Sequence, residues 1–539
     1  MSRIVPSSIL LAALFVLLSG NNLLAVQQTS EDQDEPKSRS DPFYSSPYLP
    51  LISWVYPYLD LLITRGRLKG LSPLVQPYRR IDIAKAIIEA EASGSLSGRE
   101  REWVEAIKDE LDHEFALLVD DQGQKLSLRG EARVGFEAVS QLHRDPLRPT
   151  GDAKFFPTID FGVWGSAPAV AGSFHLRWNQ HYNNDPQFPG GSVLQFRACD
   201  PLVDQCAYRI EEAYVEVQIP YVRFFFGRMY RNWGLPGRDG LLLSDYQYSY
   251  DHIGYRFGSD RIALTGLYAP FNDFGGDTTH HFSSHRIDWQ IRDNLAVALG
   301  ESVVYGGENR QIQFNLTNPV AIWEINGSST DGERNALGMA ELWWRPFSSL
   351  VTYGAFLVDN TSVGDEEQGK ATGFNQYAAA VGIQLPSLAS AVSLRGDLTV
   401  VSSLAYRSRI GFFEYYTLGQ AGWGIGLSQD KTDAILVSLL ADWFARPRLL
   451  LQPGLALMWR GEGDIREPWP DDAFVGYPGL LVGVVENTIR PYLDGVWHAR
   501  YGEIRWDLGL NLIKNRNNQP SDWQAEFVGT VWAEARVRF

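Results

Sequence analysis

The last seventeen residues, Trp523 to Phe539, constrain the fold more than any other stretch. Trp523, Ala525, Phe527, Gly529, Val531, Ala533, Ala535, Val537 and Phe539 share one parity, whereas Gln524, Glu526, Thr530, Glu534, Arg536 and Arg538 hold most of the other. Successive side chains of a strand point to opposite faces, so this ribbon has one apolar face and one charged face. The same rhythm sets Leu128, Gly130, Ala132, Val134, Phe136 and Ala138 against Arg129, Glu131, Arg133 and Glu137. It returns in Leu394, Gly396, Leu398 and Val400, and is clearest in Ile504, Trp506, Leu508, Leu510 and Leu512 against Glu503, Arg505, Asp507 and Asn511. A dry core cannot hold such rows of charge. They fit a polar, wetted lumen behind a wall whose other face meets lipid. About 410 residues, at roughly 22 to 26 per strand with its connection, give about 16 to 18 antiparallel strands.

The expected fold is therefore mainly β: a large closed antiparallel outer-membrane β-barrel of about 18 strands. Phe539 ends the chain on an aromatic, as the closing strands of bacterial outer-membrane barrels do. That resemblance implies outer-membrane lipid and the barrel-insertion machinery as partners, the latter through Phe539. The 17 Trp and 24 Tyr suit aromatic girdles, and 50 Gly suit many tight turns. A net charge of −16 disfavours nucleic acid, which needs a basic surface. Cys199 and Cys206 sit close together in one loop, and in an exported chain they are expected to form a local disulfide.

The chain opens with Arg3 and the apolar run Ile9 to Leu18, too short to span a membrane and followed by a small residue, Ala25. Residues 1–25 are expected to be a secretory signal peptide and 26–45 a disordered acidic linker. The period then changes. Leu59, Leu62 and Ile63 form one helical stripe ending near Gly66, and Ile81, Ala84, Ile87 and Ile88 form a second ending near Gly94. Ser97 with Glu100 reads as a capping box ahead of Trp103, Val104, Ile107, Leu111, Phe115 and Leu118. Residues 46–122 are thus expected to be a small periplasmic helical bundle, and 123–539 the transmembrane β-barrel. A core of that size is marginal alone, so the bundle should dock on the barrel. The stretch YPYLDLLITRGRLKGL with QPYRRIDIAKAI also resembles a surface-layer-homology repeat, in Tyr58, Leu59, Leu62, Gly66, Gly70, Pro77, Arg80 and Ala84. It lacks that family's Gly- and Asp-rich turn between Gly70 and Pro77. The resemblance implies binding to cell-wall polymer, with a purely structural hairpin as the alternative.

The densest chemistry lies in RMYRNWGLPGRDGLLLSD, where Arg228, Arg231, Trp233, Arg238, Asp239 and Asp245 surround three glycines and a proline. Guanidinium forks grip carboxylates or hydroxyls, and an indole stacks on the apolar face of a pyranose. Two readings stay open: a saccharide-binding loop, or a turn whose charges pair inside the lumen and hold a plug. A second segment, Gly300 to Ile325, carries Glu301, Glu308, Asn309, Arg310, Asn315 and Asn318 along a strand, a loop and a strand.

Together, WG-x-PGRDGLLLSD and the later Glu-x-x-x-YGG…R…F-x-L-x-NP pattern resemble the Wzi-type capsule-assembly proteins of the bacterial outer membrane. So does the order of signal peptide, helical bundle and large barrel ending in Phe. The resemblance implies a barrel closed to free diffusion by inward loops and helices. It also implies a lectin-like role in attaching or organising a capsular or other surface polysaccharide, with polysaccharide-export machinery as a further partner. A porin or substrate-specific channel needs the same wall and is the alternative.

Other constellations are weaker. His280, His281 and His285 are expected in a flexible loop, which seldom supplies the fixed tetrahedral set that zinc requires, so no metal and no cofactor is assigned. HExxH, G-x-S-x-G and phosphate-binding glycine loops are absent. Glu211 and Glu212 are adjacent on a strand and are expected on opposite faces, unable to flank one glycosidic bond. No catalytic residue is assigned, and the expected role is binding.

Overall fold

The computed structural model describes residues 43–119, 123–142, 145–179, 181–182, 205–206, 209–235, 237–246, 248–272, 278–321, 323, 334–359, 376–408, 416–417, 423–427, 431–465, 467–468 and 479–539. The signal peptide, nearly all of the linker, Cys199 and the side chain of Cys206 lie outside the described residues, and with them the disulfide.

Eighteen antiparallel strands form one closed sheet. They are β1 Ser127–Val139, β2 Lys154–Ala167, β3 Val170–Asn179, β4 Arg209–Ile219, β5 Val222–Met229, β6 Tyr250–Gly258, β7 Ile262–Asn272, β8 Thr278–Arg292 and β9 Leu295–Glu308. The second half comprises β10 Arg334–Phe347, β11 Leu350–Asp359, β12 Tyr377–Ala389, β13 Val392–Val401, β14 Ala434–Arg446, β15 Leu449–Arg460, β16 Glu486–Ala499, β17 Gly502–Lys514 and β18 Gln524–Arg538. Each strand pairs with its neighbours in sequence, and β1 also pairs with β18, from Glu131 opposite Arg538 to Val139 opposite Thr530. No strand edge is left open, as a lipid surrounding demands.

The parity read from sequence is the parity of the wall. Val134, Phe136, Phe527 and Val537 are exposed on the outer face, while Glu131, Glu534 and Arg536 are buried on the inner one. The inner charges pair with one another. Arg133 meets Glu534 at 2.9 Å and Glu131 at 2.5 Å, Arg177 meets Asp160 at 2.9 Å, and Arg286 meets Glu341 at 2.8 Å. Short turns join Ala167 to Val170, Ile219 to Val222, Phe347 to Leu350 and Ala499 to Gly502 at one end of the cylinder. The start of β1 and the end of β18 lie at that end too.

Ahead of the barrel come α1 Val55–Thr64, α2 Arg80–Ala92, α3 Gly98–Glu110 and α4 Asp112–Val119. Ser97 and Glu100 form the expected capping box, with Ser97 N–H donating to the Glu100 carboxylate at 2.7 Å. The third helix read from sequence is two, broken at Leu111. Packing begins two residues inside the stretch expected as linker, since Tyr44 and Ser45 are already buried.

Rather than standing beside the barrel, the helices lodge in its tight-turn mouth. Their apolar faces share one core with the inward residues Ala296, Ala298, Trp343, Tyr353, Phe444 and Leu450. Tyr58 and Trp103 meet the Phe444 ring at 4.8 and 5.0 Å between centroids, and Trp54 stacks on His498 at 3.4 Å. Wall side chains thus complete a core that the helices are too few to build alone. Polar grips fix the seat. Arg65 donates to the Pro386 carbonyl at 2.8 Å, and Arg345 donates to the Ile63 carbonyl at 2.9 Å. Gly66, at φ +73°, leaves the space that the Arg345 guanidinium occupies.

Glu110 at the end of α3 receives both arginines of the closing strand, Arg536 at 3.1 Å and Arg538. Burial alone would raise its carboxyl, but Arg538 and Arg536 outweigh burial and hold it at about 2, against 4.5 ordinarily. A depressed folded value stabilises above the unfolded one, and that stabilisation drains away as pH falls from about 4.5 through about 2. Glu110→Gln is therefore expected to lower stability by about 3 kcal/mol at neutral pH, because the buried Arg536 and the half-buried Arg538 lose this counter-charge. Thermal unfolding of the detergent-solubilised barrel checks this, and the difference from the parent should close across that acid window.

Candidate functional site

The two segments singled out by sequence fall on opposite sides of the wall. Arg228 shares the outer face with the exposed Phe224 and Phe226 and pairs with Asp251 of β6 at 2.8 Å, apart from the rest of its segment. From Arg231 onward the chain turns into the lumen. The Arg231 Nε donates to His252 at 2.8 Å, and its guanidinium lies 4.5 Å from the Phe225 ring centroid.

Trp233 is wholly buried, at 0% exposure, so its indole is not available to stack on a sugar. It sits among Leu241, Leu242, Leu243, Phe271, Phe282 and Leu337 in a second buried layer above the helices. The fold of this loop explains its glycines. Trp233 N–H donates to the Leu243 carbonyl at 2.9 Å, and a Cβ on Gly240 would fall 2.3 Å from the carbonyl oxygens of both residues. Asn232 accepts from Gly240 N–H at 2.9 Å and donates to the Arg238 carbonyl at 2.7 Å. Arg238 then reaches Asp397 of β13 at 2.7 Å and lies 3.8 Å over the Tyr353 ring. Asp239 pairs with Lys431. Burial, and then the nearby Asp239, push the Asp245 carboxyl up to about 6. Of the two readings, the geometry is that of a plug held by lumen charges.

The plug is locked to both of its neighbours. Gln76 of the helical segment exchanges two backbone hydrogen bonds with Asn232, at 2.9 and 3.1 Å. On the other side, the Tyr406 hydroxyl donates to the Leu241 carbonyl at 2.7 Å, and Ser244 N–H to the Ile425 carbonyl at 2.9 Å. Asp433 accepts from the backbone N–H of Gly463, Leu481 and Val482 at 3.0, 2.6 and 3.0 Å, tying the connection that precedes β14 to the one between β15 and β16. Sequence reasoning missed Tyr406, Lys431 and Asp433. Nothing local distinguishes them from ordinary turn residues, because their partners are 30 to nearly 200 positions away in places such as Leu241 and Asp239.

The second segment folds over the outside of the barrel. Glu301 shares the outer face with His285 opposite it and with Val297, whose partner Leu342 is exposed. The connection after β9 doubles back so that Leu316 and Trp323 bury Val303, Tyr305 and Ala336. Trp323 N–H donates to the Glu301 carboxylate at 2.9 Å, its indole N–H to the Asn318 carbonyl at 3.1 Å, and its ring covers His285 at 4.0 Å. The Arg310 carbonyl accepts from Thr279 at 2.6 Å and contacts His281 Nε2 at 3.0 Å. Asn315 lies in a short 3-10 turn, Phe314–Leu316. Glu301, Arg310, Asn315 and Asn318 therefore neither line the lumen nor meet the first segment.

Two expectations need correction. His280, His281 and His285 are not in a loop but in β8, with His281 and His285 facing out and His280 facing in. Among the described residues no group of three His, Cys, Asp or Glu converges as a metal site. Glu211 and Glu212 do not point to opposite faces. A register shift between His175 and Leu176 inserts an extra residue in β4, so Glu211 reaches Arg177 at 3.6 Å while Glu212 accepts from Ser173 at 3.0 Å. The residues that carry the surface-layer-homology resemblance are mostly interior: Tyr58, Leu59, Leu62, Arg80 and Ala84 are all buried.

With this geometry in view, the chain can be compared with solved structures. It superposes on Wzi from Escherichia coli with a TM-score of 0.61 at 12% identity, covering 92% of this chain and 100% of that one. The fold is Wzi-like. That protein is an outer-membrane, carbohydrate-binding β-barrel involved in group 1 capsule assembly. A BenF-like porin from Pseudomonas fluorescens matches at TM-score 0.42 and 8% identity over 77% of this chain and 98% of its own. OpdK from Pseudomonas aeruginosa, solved with vanillate, matches at 0.43 and 8% over 77% and 99%. No family model matches the sequence, and no curated protein sequence does.

Because the plug and the outer flap are independent, their key indoles should fail separately. Trp233→Ala is expected to destabilise the plug by about 3 to 5 kcal/mol and to open new protease cleavage between Arg231 and Asp245. Trp323→Ala should instead open cleavage between Asn309 and Ala321 and leave the plug protected. Limited proteolysis of the detergent-solubilised chain, mapped by mass spectrometry, reads both.

Proposed function

We propose that this chain is an outer-membrane barrel that holds a surface polysaccharide, of capsular or related type, without changing it covalently. One observation carries the reading. Two buried layers, the helices and the plug loop with its partners, occupy the lumen among the described residues. A wall whose interior is spent on packing leaves its exposed connections, rather than a pore, as the working surface. The Wzi-like fold supports the same reading, since Wzi binds carbohydrate. Short turns of outer-membrane barrels face the periplasm, which turns the helical segment to the periplasm and the long connections outward. Polymer would be held there by many weak contacts repeated along its length, so avidity outweighs any single site. Export machinery would meet the helical mouth.

Deleting the gene is expected to lower cell-attached polysaccharide and raise the shed fraction, with total synthesis unchanged. The purified barrel should give no large, stable conductance in planar bilayers. Normal attachment together with large channels would replace this reading with a substrate channel.

A further inference from the structure

The lumen face at the tight-turn end carries an arrangement that the plugged wall does not require. Arg223 of β5 and Arg256 of β6 are directly opposite each other in the cross-strand register, with Thr265 of β7 next in the row. Like charges directly opposite on a sheet repel. A packed wall ordinarily answers inward arginines with carboxylates, as Asp288 of β8 and Glu341 of β10 do for Arg286. Here the answer is incomplete.

Both arginines line a cavity of about 100 Å³ between the wall and the chain from Gly70 to Asp82. Its border includes Gly70, Asp260 and Arg261, all exposed, so the cavity opens at the tight-turn end. Four acidic residues also line it, and most are committed elsewhere. Asp82 is held by Arg79 at 2.5 Å and stands 3.9 Å from Arg223. Asp288 is taken by Arg286 at 2.6 Å, and Glu216 accepts from the Tyr48 hydroxyl at 2.9 Å and from Gln218 at 2.5 Å. Asp260 is solvated at the mouth. Arg256 donates only to the backbone carbonyls of Gly258 and Ser259, at 3.4 and 3.0 Å. Among the described residues, no carboxylate lies within ion-pair distance of Arg256 or Arg261.

We propose that this cavity is a binding site for a small oxyanion, a phosphate or a carboxylate, entering from the tight-turn side. Arg256 is the central donor, with Arg223 opposite it, Arg261 at the mouth and the Thr265 hydroxyl alongside. Guanidinium forks match the geometry of an oxyanion, and one anion between Arg223 and Arg256 converts their repulsion into two charge-assisted contacts. The site is separate from the long connections on which polymer holding rests, so either proposal can fail without the other.

Isothermal titration of the detergent-solubilised full chain at low salt tests it, using inorganic phosphate, glucuronate and neutral glucose. Saturable binding of phosphate or glucuronate at one site per chain, weakened by added sodium chloride and absent for glucose, is the expected result. Phosphate alone would assign the site to phosphate carriers, and glucuronate alone to carboxylate carriers. Arg256→Gln should weaken binding at least tenfold. Arg261→Gln, at an exposed turn position, should weaken it severalfold with the heat-modifiable gel shift of the folded barrel intact. Neither anion binding better than glucose, or both variants binding as the parent does, would overturn the proposal.

Discussion

Everything in this molecule follows from the hydrogen bonds that join β1 to β18. In hydrocarbon an unpaired backbone N–H or C=O costs several kcal/mol, so a sheet of this length survives in lipid only if its first and last strands meet. The closing register sets Arg536 opposite Arg133 and Arg538 opposite Glu131. The same parity turns Val537 outward and delivers Arg536 and Arg538 inward to Glu110. Closing the wall and seating the helical segment are therefore one event. A helix at the amino-terminal side and the last strand of the chain hold each other across more than 400 residues of sequence, as the Glu110 to Arg538 contact measures directly.

A closed cylinder of eighteen strands has more interior than side chains from the wall can fill. This chain fills it from two sources with different chemistry. At the tight-turn mouth the filling is an apolar helical core completed by wall residues such as Phe444 and Trp343. Above it, the connection from Arg231 to Asp245 turns inward, buries Trp233 and Leu241 to Leu243 against Tyr406 and Ile425 of a second connection, and satisfies its charges against Asp397 and Lys431. Buried ion pairs of this sort add little net stability, but removing one partner is costly, so they favour one seating of the plug over others. The outer flap around Trp323 serves a third surface. It covers a polar stretch of the outer wall, Ser283, His285 and Glu301, that bare lipid would not tolerate.

The strands and the barrel class were legible because alternation is a local property. Glu503, Arg505 and Asp507 against Ile504, Trp506 and Leu508 state their faces without reference to anything distant. The helices were legible for the same reason, down to the capping pair Ser97 and Glu100. The candidate site was only half legible. The composition of Arg228 to Asp245 marked it as a structured turn, yet Trp233 as a sugar platform and Trp233 as a buried plug look identical in one dimension. The Glu211 and Glu212 case failed through a single inserted residue, since strict alternation cannot reveal a bulge set by the neighbouring strand.

Period, parity and caps, each decided within a few residues, were written in the sequence itself: strands with one oily and one charged face, preceded by amphipathic helices. Which connection turns inward and which folds back over the outside was decided only by tertiary structure. Those choices depend on partners supplied by other strands: Asp397 and Lys431 for the plug, His285 and Val303 for the flap, Arg536 and Arg538 for the helices. No local pattern specifies a partner that closure alone brings near.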